Sequence, residues 1–211
     1  MRYEVLPAGA LALIERIAAD PAPEWKGWTL AGGTGLALQL GHRDSEDLDF
    51  FRTMGDVNFQ RLHGLLRPYG PLETLQEGAD TLTVLLSGIK LSFFRVFDPF
   101  LFDSTPCRWF AVADRRDIAL MKLAAVSGRG GRRDFVDLYT ILREPPGLQE
   151  YFDLLPKKYG AGRANAYHVL KSLTFFEDAE KEPMPRMRIP FDWEDCRRFF
   201  EREARRIVLG P

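Results

Sequence analysis

Residues 32–49 read GGTGLALQLGHRDSEDLD, and three features of that stretch need one explanation. Gly32-Gly33-Thr34 lies between a predicted short strand, Trp28 to Ala31, and a predicted short helix that Gly41 closes. Adjacent glycines let backbone N–H groups turn toward an anion, and the start of a helix adds the positive end of its dipole. That is the chemistry of a phosphate cradle, although a Gly-Gly pair taken alone is more often only a tight turn. The stretch is neither a Walker loop, since no Gly-Lys-Ser/Thr follows, nor a GxGxxG fingerprint. Asp47 and Asp49 stand one residue apart on a second predicted strand, 47–51. A period of two puts both carboxylates on one face and sends Leu48 and Phe50 into the core. Carboxylates on one face repel, and a divalent cation (Mg2+ or Mn2+) removes the conflict by taking carboxylate and phosphate oxygens together. Two such ions about 3.5–4 Å apart clamp the attacking and leaving oxygens of nucleotidyl transfer. An exposed acidic strand end is the plain alternative. The order of glycine turn, short helix and Asp-x-Asp strand is what brings a triphosphate and its metals to one place.

The rest of the chain sets bounds on this reading. Its 211 residues carry 29 Lys and Arg against 30 Asp and Glu, with 45% hydrophobic and 28% charged residues. This is a globular composition, and a net charge of -1 excludes binding of nucleic acid by overall charge while leaving room for a local basic face. No apolar run approaches the ~20 residues of a membrane span, and the opening residues do not read as a signal peptide. Cys107 and Cys196 are too few for a disulfide framework or a thiolate zinc site. The expectation is a soluble, cytoplasmic protein without a membrane partner.

Periodicity predicts helices over 8–20 and 58–68 and strands over 72–76, 80–86, 89–97 and 108–112, with a turn at Ser87-Gly88. After Ala113 the pattern becomes helical: Asp114 is a candidate N-cap for RRDIALMKLAAVS, and further helices are expected over 132–143, 148–157, 162–178 and from about Asp192. The expected fold class is α+β: an α/β subdomain with a mixed sheet over 1–112, a helical bundle over 113–211, and a cleft between them.

GGTGLALQLGHRDSEDLDFF resembles the nucleotidyltransferases of the polymerase β superfamily and, more closely, the AbiEii/AbiGii toxin family, on Gly32, Gly33, Thr34, Arg43, Ser45, Asp47 and Asp49. The likeness continues through IKLSFFRVF and through DIALMKLAAVSGRGGRRDFVDLYTIL, a helix with Lys and then Arg followed by an Arg-Asp-Phe-x-Asp-Leu helix. It implies a nucleotidyltransferase that moves an NMP from an NTP to an acceptor with release of pyrophosphate. The implied setting is the toxin of a toxin–antitoxin or phage-defence pair, with tRNA or another RNA as acceptor and a cognate antitoxin as partner. Asp47 and Asp49 then hold the metal, and Lys122 and Asp134 match the family's catalytic lysine and second-domain aspartate. Asp137 matches the second acid of that motif.

Read physically, Lys122 sits mid-helix between apolar neighbours, which suggests an ammonium at a buried edge aimed at substrate phosphate. Arg129, seven positions on, is a phosphate candidate or simply a favourable charge at a helix C-terminus. On a helical wheel Phe135, Leu138, Tyr139 and Leu142 make the packed arc, Asp134 borders it, and Asp137 lies further out. A bordering acid needs a partner, which Lys122, Arg129 or a metal could supply. Asp134 could also activate the acceptor or hold the second metal from the helical half. The strand 89–96 offers Lys90, Ser92 and Arg95 but no third carboxylate, a departure from many polymerase β-like enzymes. Arg43 and Ser45 are phosphate-contact candidates, and His42 is expected in solvent. The cluster Arg115, Arg116, Lys122, Arg129, Arg132 and Arg133 is a candidate RNA or nucleotide contact, and the C-terminal arginines are a solvated face. Two other functions fit the same fold: a non-catalytic nucleotide-binding module, and a nucleotidyltransferase acting on a small molecule such as an antibiotic.

Overall fold

The short apolar run after Trp28 becomes strand β1 (Thr29–Leu30) in the structure, a computed structural model that describes residues 1–160, 163 and 165–210. The Asp-x-Asp segment gives β2 (Leu48–Arg52), with Asp47 just ahead of it. The alternating runs give β3 (Leu72–Gly78), β4 (Thr81–Leu86) and β5 (Ile89–Arg95). The strand expected over 108–112 is β7 (Phe110–Val112), preceded by β6 (Thr105–Cys107), which periodicity did not reveal. Among the described residues these seven strands form one mixed sheet in the order β3-β4-β5-β2-β1-β7-β6. β2 runs parallel to β5, and β1 runs antiparallel to β2 and parallel to β7. The chain divides into two compact units, Met1–Asp114 and Arg115–Pro211.

The first unit is the sheet with helices α1 (Ala10–Ala18), α2 (Gly32–Leu40) and α3 (Phe59–Leu66). Its core joins Leu13, Ile14 and Ile17 of α1 and Phe59, Leu62 and Leu66 of α3 to Leu48, Phe50, Leu82, Val84, Leu86, Leu91 and Phe93. Every second residue of β2 and β5 therefore faces this core, and the residues between them face the other way. Asn58 caps α3 by accepting a hydrogen bond from the Arg61 N–H at 2.9 Å. Gly41, at φ 65°, ends α2 in the left-handed conformation, as its place after the apolar run predicts.

The second unit is helical among its described residues: α4 (Arg115–Gly128), α5 (Arg132–Leu142), α6 (Leu148–Tyr159), α7 (Ala166–Ser172), α8 (Glu177–Lys181) and α9 (Trp193–Ala204). Phe135 of α5 packs against Phe176, Trp193 and Phe200. The Asp192 side chain caps α9 by accepting from the Asp195 N–H at 2.8 Å. Buried Lys158 and Asp117 pair at 2.8 Å, linking α6 to α4. The single helix expected over 162–178 is two, broken at Leu173 to Phe176, and its first residue lies outside the described residues. Both cysteines are buried free thiols, and burial pushes the Cys196 thiol far up in pKa. No described helix is long and apolar enough to cross a membrane.

Candidate active site

In the first unit, β1 ends at Leu30 and the chain enters α2 without a loop. Ala31 is the N-cap, and its carbonyl accepts the Gly35 N–H at 3.1 Å. The helix thus starts at Gly32, two residues earlier than the sequence predicts, and the glycines form its first turn. Gly32 has φ 62°, a conformation that glycine adopts without penalty. A Cβ at this position would lie 3.2 Å from Asp49 Oδ2, tighter than ordinary contact. The absence of a side chain at 32 is therefore what lets the Asp49 carboxylate reach the helix start. The link is reinforced along the backbone, where the Ala31 N–H donates to the Asp49 carbonyl at 3.0 Å.

Thr34 pins the other acid. Its hydroxyl bonds the Asp47 carbonyl and lies 2.7 Å from Ser45 Oγ, and Thr34 and Ser45 are both buried. Asp47 remains about two-fifths exposed, with Lys90 Nζ of β5 at 3.5 Å from its Oδ2. The register sets Ser92 beside Asp49, so the neighbouring strand brings a cation and a hydroxyl to the acid pair and no third carboxylate.

Two expectations change here. His42 is buried rather than solvent-exposed. Arg43, 3% exposed, donates to its neighbour's carbonyl, Asp44 O, at 2.9 Å. Arg43 and Ser45 thus stand inside the loop that carries Asp47 and shape it from within.

The second unit holds a separate constellation. Lys122 of α4 lies 2.8 Å from Asp134 Oδ1 and 2.6 Å from Asp137 Oδ2 of α5, with all three side chains almost fully buried. Asp137 is therefore not further out on its helix, as the wheel suggests. A lysine buried mid-helix needs counter-charge, and two acids one turn apart supply it. Lys122 is buried, as its apolar neighbours imply, and its ammonium points between the two carboxylates. Arg129 grips Asp134 as a fork, Nε to Oδ2 at 2.6 Å and Nη2 to Oδ1 at 2.9 Å, while its own side chain stays 70% exposed. Burial raises the pKa of the Asp134 carboxyl, but the Arg129 guanidinium and the Lys122 ammonium outweigh it and hold the group below the usual carboxylate range. Both Asp134 oxygens are engaged by Arg129 and Lys122. Its geometry makes it a holder of Arg129 and Lys122.

Two further members of the basic cluster of 115–133 are also paired. Arg115 meets Glu144 at 2.6 Å, and Arg132 donates to the carbonyls of Ala179 and Glu180. The C-terminal arginines form surface ion pairs with Asp195, Glu194 and Glu203, as a solvated face should.

Residues 18–83, which span both the glycine bend and the acid pair, match the model of the family described as Nucleotidyl transferase AbiEii toxin, Type IV TA system. The chain belongs to the AbiEii nucleotidyltransferase toxin family. Along most of its length it is 35% identical to an uncharacterized protein of Aquifex aeolicus (strain VF5), over 184 residues that cover 85% of this chain and 87% of the relative. Its fold is similar to that of MenT4, a nucleotidyltransferase toxin from Mycobacterium tuberculosis H37Rv, with a TM-score of 0.59 at 13% identity over 94% of this chain and 82% of that one. It is also similar to JHP933 from Helicobacter pylori, with a TM-score of 0.51 at 17% identity over 95% and 92%. This AbiEii protein is thus an α+β enzyme of the nucleotidyltransferase class.

Proposed function

We propose that this AbiEii-family enzyme transfers an NMP from an NTP to an RNA acceptor, a tRNA in the first instance, with release of pyrophosphate, in a cytoplasmic toxin–antitoxin pair whose antitoxin binds it. What supports this reading above all is the packing of Asp49 against the side-chain-free start of α2. There one group can serve a cation whose other ligands lie on phosphates over Gly32, Gly33 and Thr34. The donor set fits a hard divalent ion, Mg2+ or Mn2+. Asp47 and Asp49 would supply two carboxylates to such an ion, and no group of three or more acids, histidines or cysteines that could hold a metal occurs among the described residues. When bound, such an ion supplies charge that stabilises the phosphoryl oxygens of the transfer.

The chain's own groups do the rest. Backbone N–H groups at the start of α2 receive the triphosphate in the helix dipole. Thr34 and Ser45 fix the height of the Asp47 carbonyl, and Arg43 stiffens the loop. Arg129, oriented by Asp134, keeps a largely exposed side chain within the second unit. Lys122, held by Asp134 and Asp137, positions that helix pair. The acceptor oxygen bonds to the α-phosphorus as the bond to the β-phosphate oxygen breaks.

Incubation of the full chain with each α-labelled NTP, Mg2+ and total tRNA tests this reading. Label should enter RNA from at least one NTP, and Asp49→Asn should lower the rate by ~10^3-fold or more, as loss of several kcal/mol of metal-borne charge stabilisation requires. Absence of transfer from all four NTPs, or full activity in Asp49→Asn, overturns it.

A further inference from the structure

The face of the sheet that carries the acid pair also carries two aromatic rings that the core does not use. Along β2, Asp49 and Phe51 point the same way, while Leu48 and Phe50 are buried in the core. The register pairs Phe51 with Phe94 of β5, and their rings stack with centroids 5.2 Å apart and planes 28° apart. Both side chains are part-exposed, and neither belongs to the core cluster that holds Phe50 and Phe93. The centroid separation is close to the ~4.8 Å spacing of adjacent strands. The stack therefore runs across the strands, with the rings standing up from the sheet, and its two ends look along the sheet rather than away from it.

At those ends the neighbouring side chains are short. Thr29 of β1 pairs with Phe51, and Ala111 of β7 pairs with Thr29, while Thr81 of β4 pairs with Phe94. On the β1 side the positions that follow Phe51 across the sheet are therefore Thr29 and then Ala111, both with short side chains. That side is also the one from which the chain climbs through Ala31 into the Gly32 bend. One strand period, ~7 Å, separates Phe51 from Asp49 on the same face, comparable to the reach of a ribose between phosphate and base.

We infer that the outer face of Phe51 is the stacking platform for the base of the NTP, seated over Thr29 and Ala111 and completing a three-ring stack with Phe94. The inference rests on the nucleotidyltransferase reading above and adds the base to it. Stacking on an aromatic face tolerates every base, since each has a π surface. The platform thus accounts for binding a nucleoside triphosphate rather than a bare polyphosphate, while selection among bases falls to other groups.

Binding of an NTP and of inorganic tripolyphosphate, which has no base, is measured calorimetrically on the full chain with Mg2+. Phe51→Leu should weaken NTP binding about tenfold and leave tripolyphosphate binding unchanged. Thr29→Tyr, which sets a ring beside Phe51, should do at least as much. Phe51→Trp keeps the platform and should retain NTP binding, with indole fluorescence quenched by the NTP and not by tripolyphosphate. If wild type binds both probes and Phe51→Leu and Thr29→Tyr leave NTP binding unchanged, or weaken both probes equally, the platform is wrong while the phosphate site stands. If wild type binds neither probe, both readings fall.

Discussion

Lys122 is a buried charge whose first partners are two buried carboxylates. Its ammonium lies within 2.8 Å of Asp134 and 2.6 Å of Asp137, so removing it leaves two buried carboxylates facing each other. Lys122→Met should destabilise the second unit by about 3–5 kcal/mol, seen as a lower urea midpoint by circular dichroism, and adding Asp137→Leu should recover part of that loss. The Asp134 carboxyl, despite the burial that pushes it up, is held below its ordinary value by Arg129 and Lys122. Its contribution is therefore present above the unfolded carboxylate pKa, near 3.9, and is lost as pH falls through the lower folded value. Stability of Asp134→Asn should accordingly fall less between about pH 4 and pH 2 than that of wild type, and an equal fall would contradict the assignment. The sequence called for a partner to Asp134 and offered Lys122 and Arg129, which the structure supplies, and it misplaced Asp137. A helical wheel ranks positions by the apolar arc, and Asp137 is buried because Lys122 lies on another helix, which the local period does not encode.

At the scale of elements, the start of α2 is the decisive feature, and most of it was legible. Two glycines after an apolar run predict a bend, and Asp-x-Asp with Leu48 and Phe50 between predicts a strand with its acids outward. What the sequence left open was that the bend is the first turn of the helix itself, and that Gly32 is there to admit Asp49. Gly32→Ala brings a Cβ to 3.2 Å of Asp49 Oδ2 at a φ of 62°. It should cost about 1–2 kcal/mol of stability from backbone strain and reduce nucleotide transfer far more than that loss explains. Gly41→Ala, strained at φ 65° at the other end of the same helix, is the control that should cost stability and leave transfer in the remaining folded enzyme unchanged. β6 escaped notice because Thr105-Pro106-Cys107 is three residues with a proline, too short for any period. The break between α7 and α8 escaped because the run Leu173 to Phe176 is apolar enough to continue a helical stripe, while its Thr-Phe-Phe is poor helix material.

For the molecule as a whole, charge is near balance, so no binding of nucleic acid by bulk attraction is expected. The fold class was readable from the change of pattern near Ala113. The most direct test is an anomalous-diffraction map of crystals soaked with Mn2+ and a non-hydrolysable NTP. Manganese should lie between the carboxylates of Asp47 and Asp49, at about 2.0–2.3 Å from their oxygens, with triphosphate oxygens over the N–H groups of Gly33 and Thr34. Manganese bound to other carboxylates, or an ordered triphosphate away from the start of α2, would contradict the assignment of the catalytic centre.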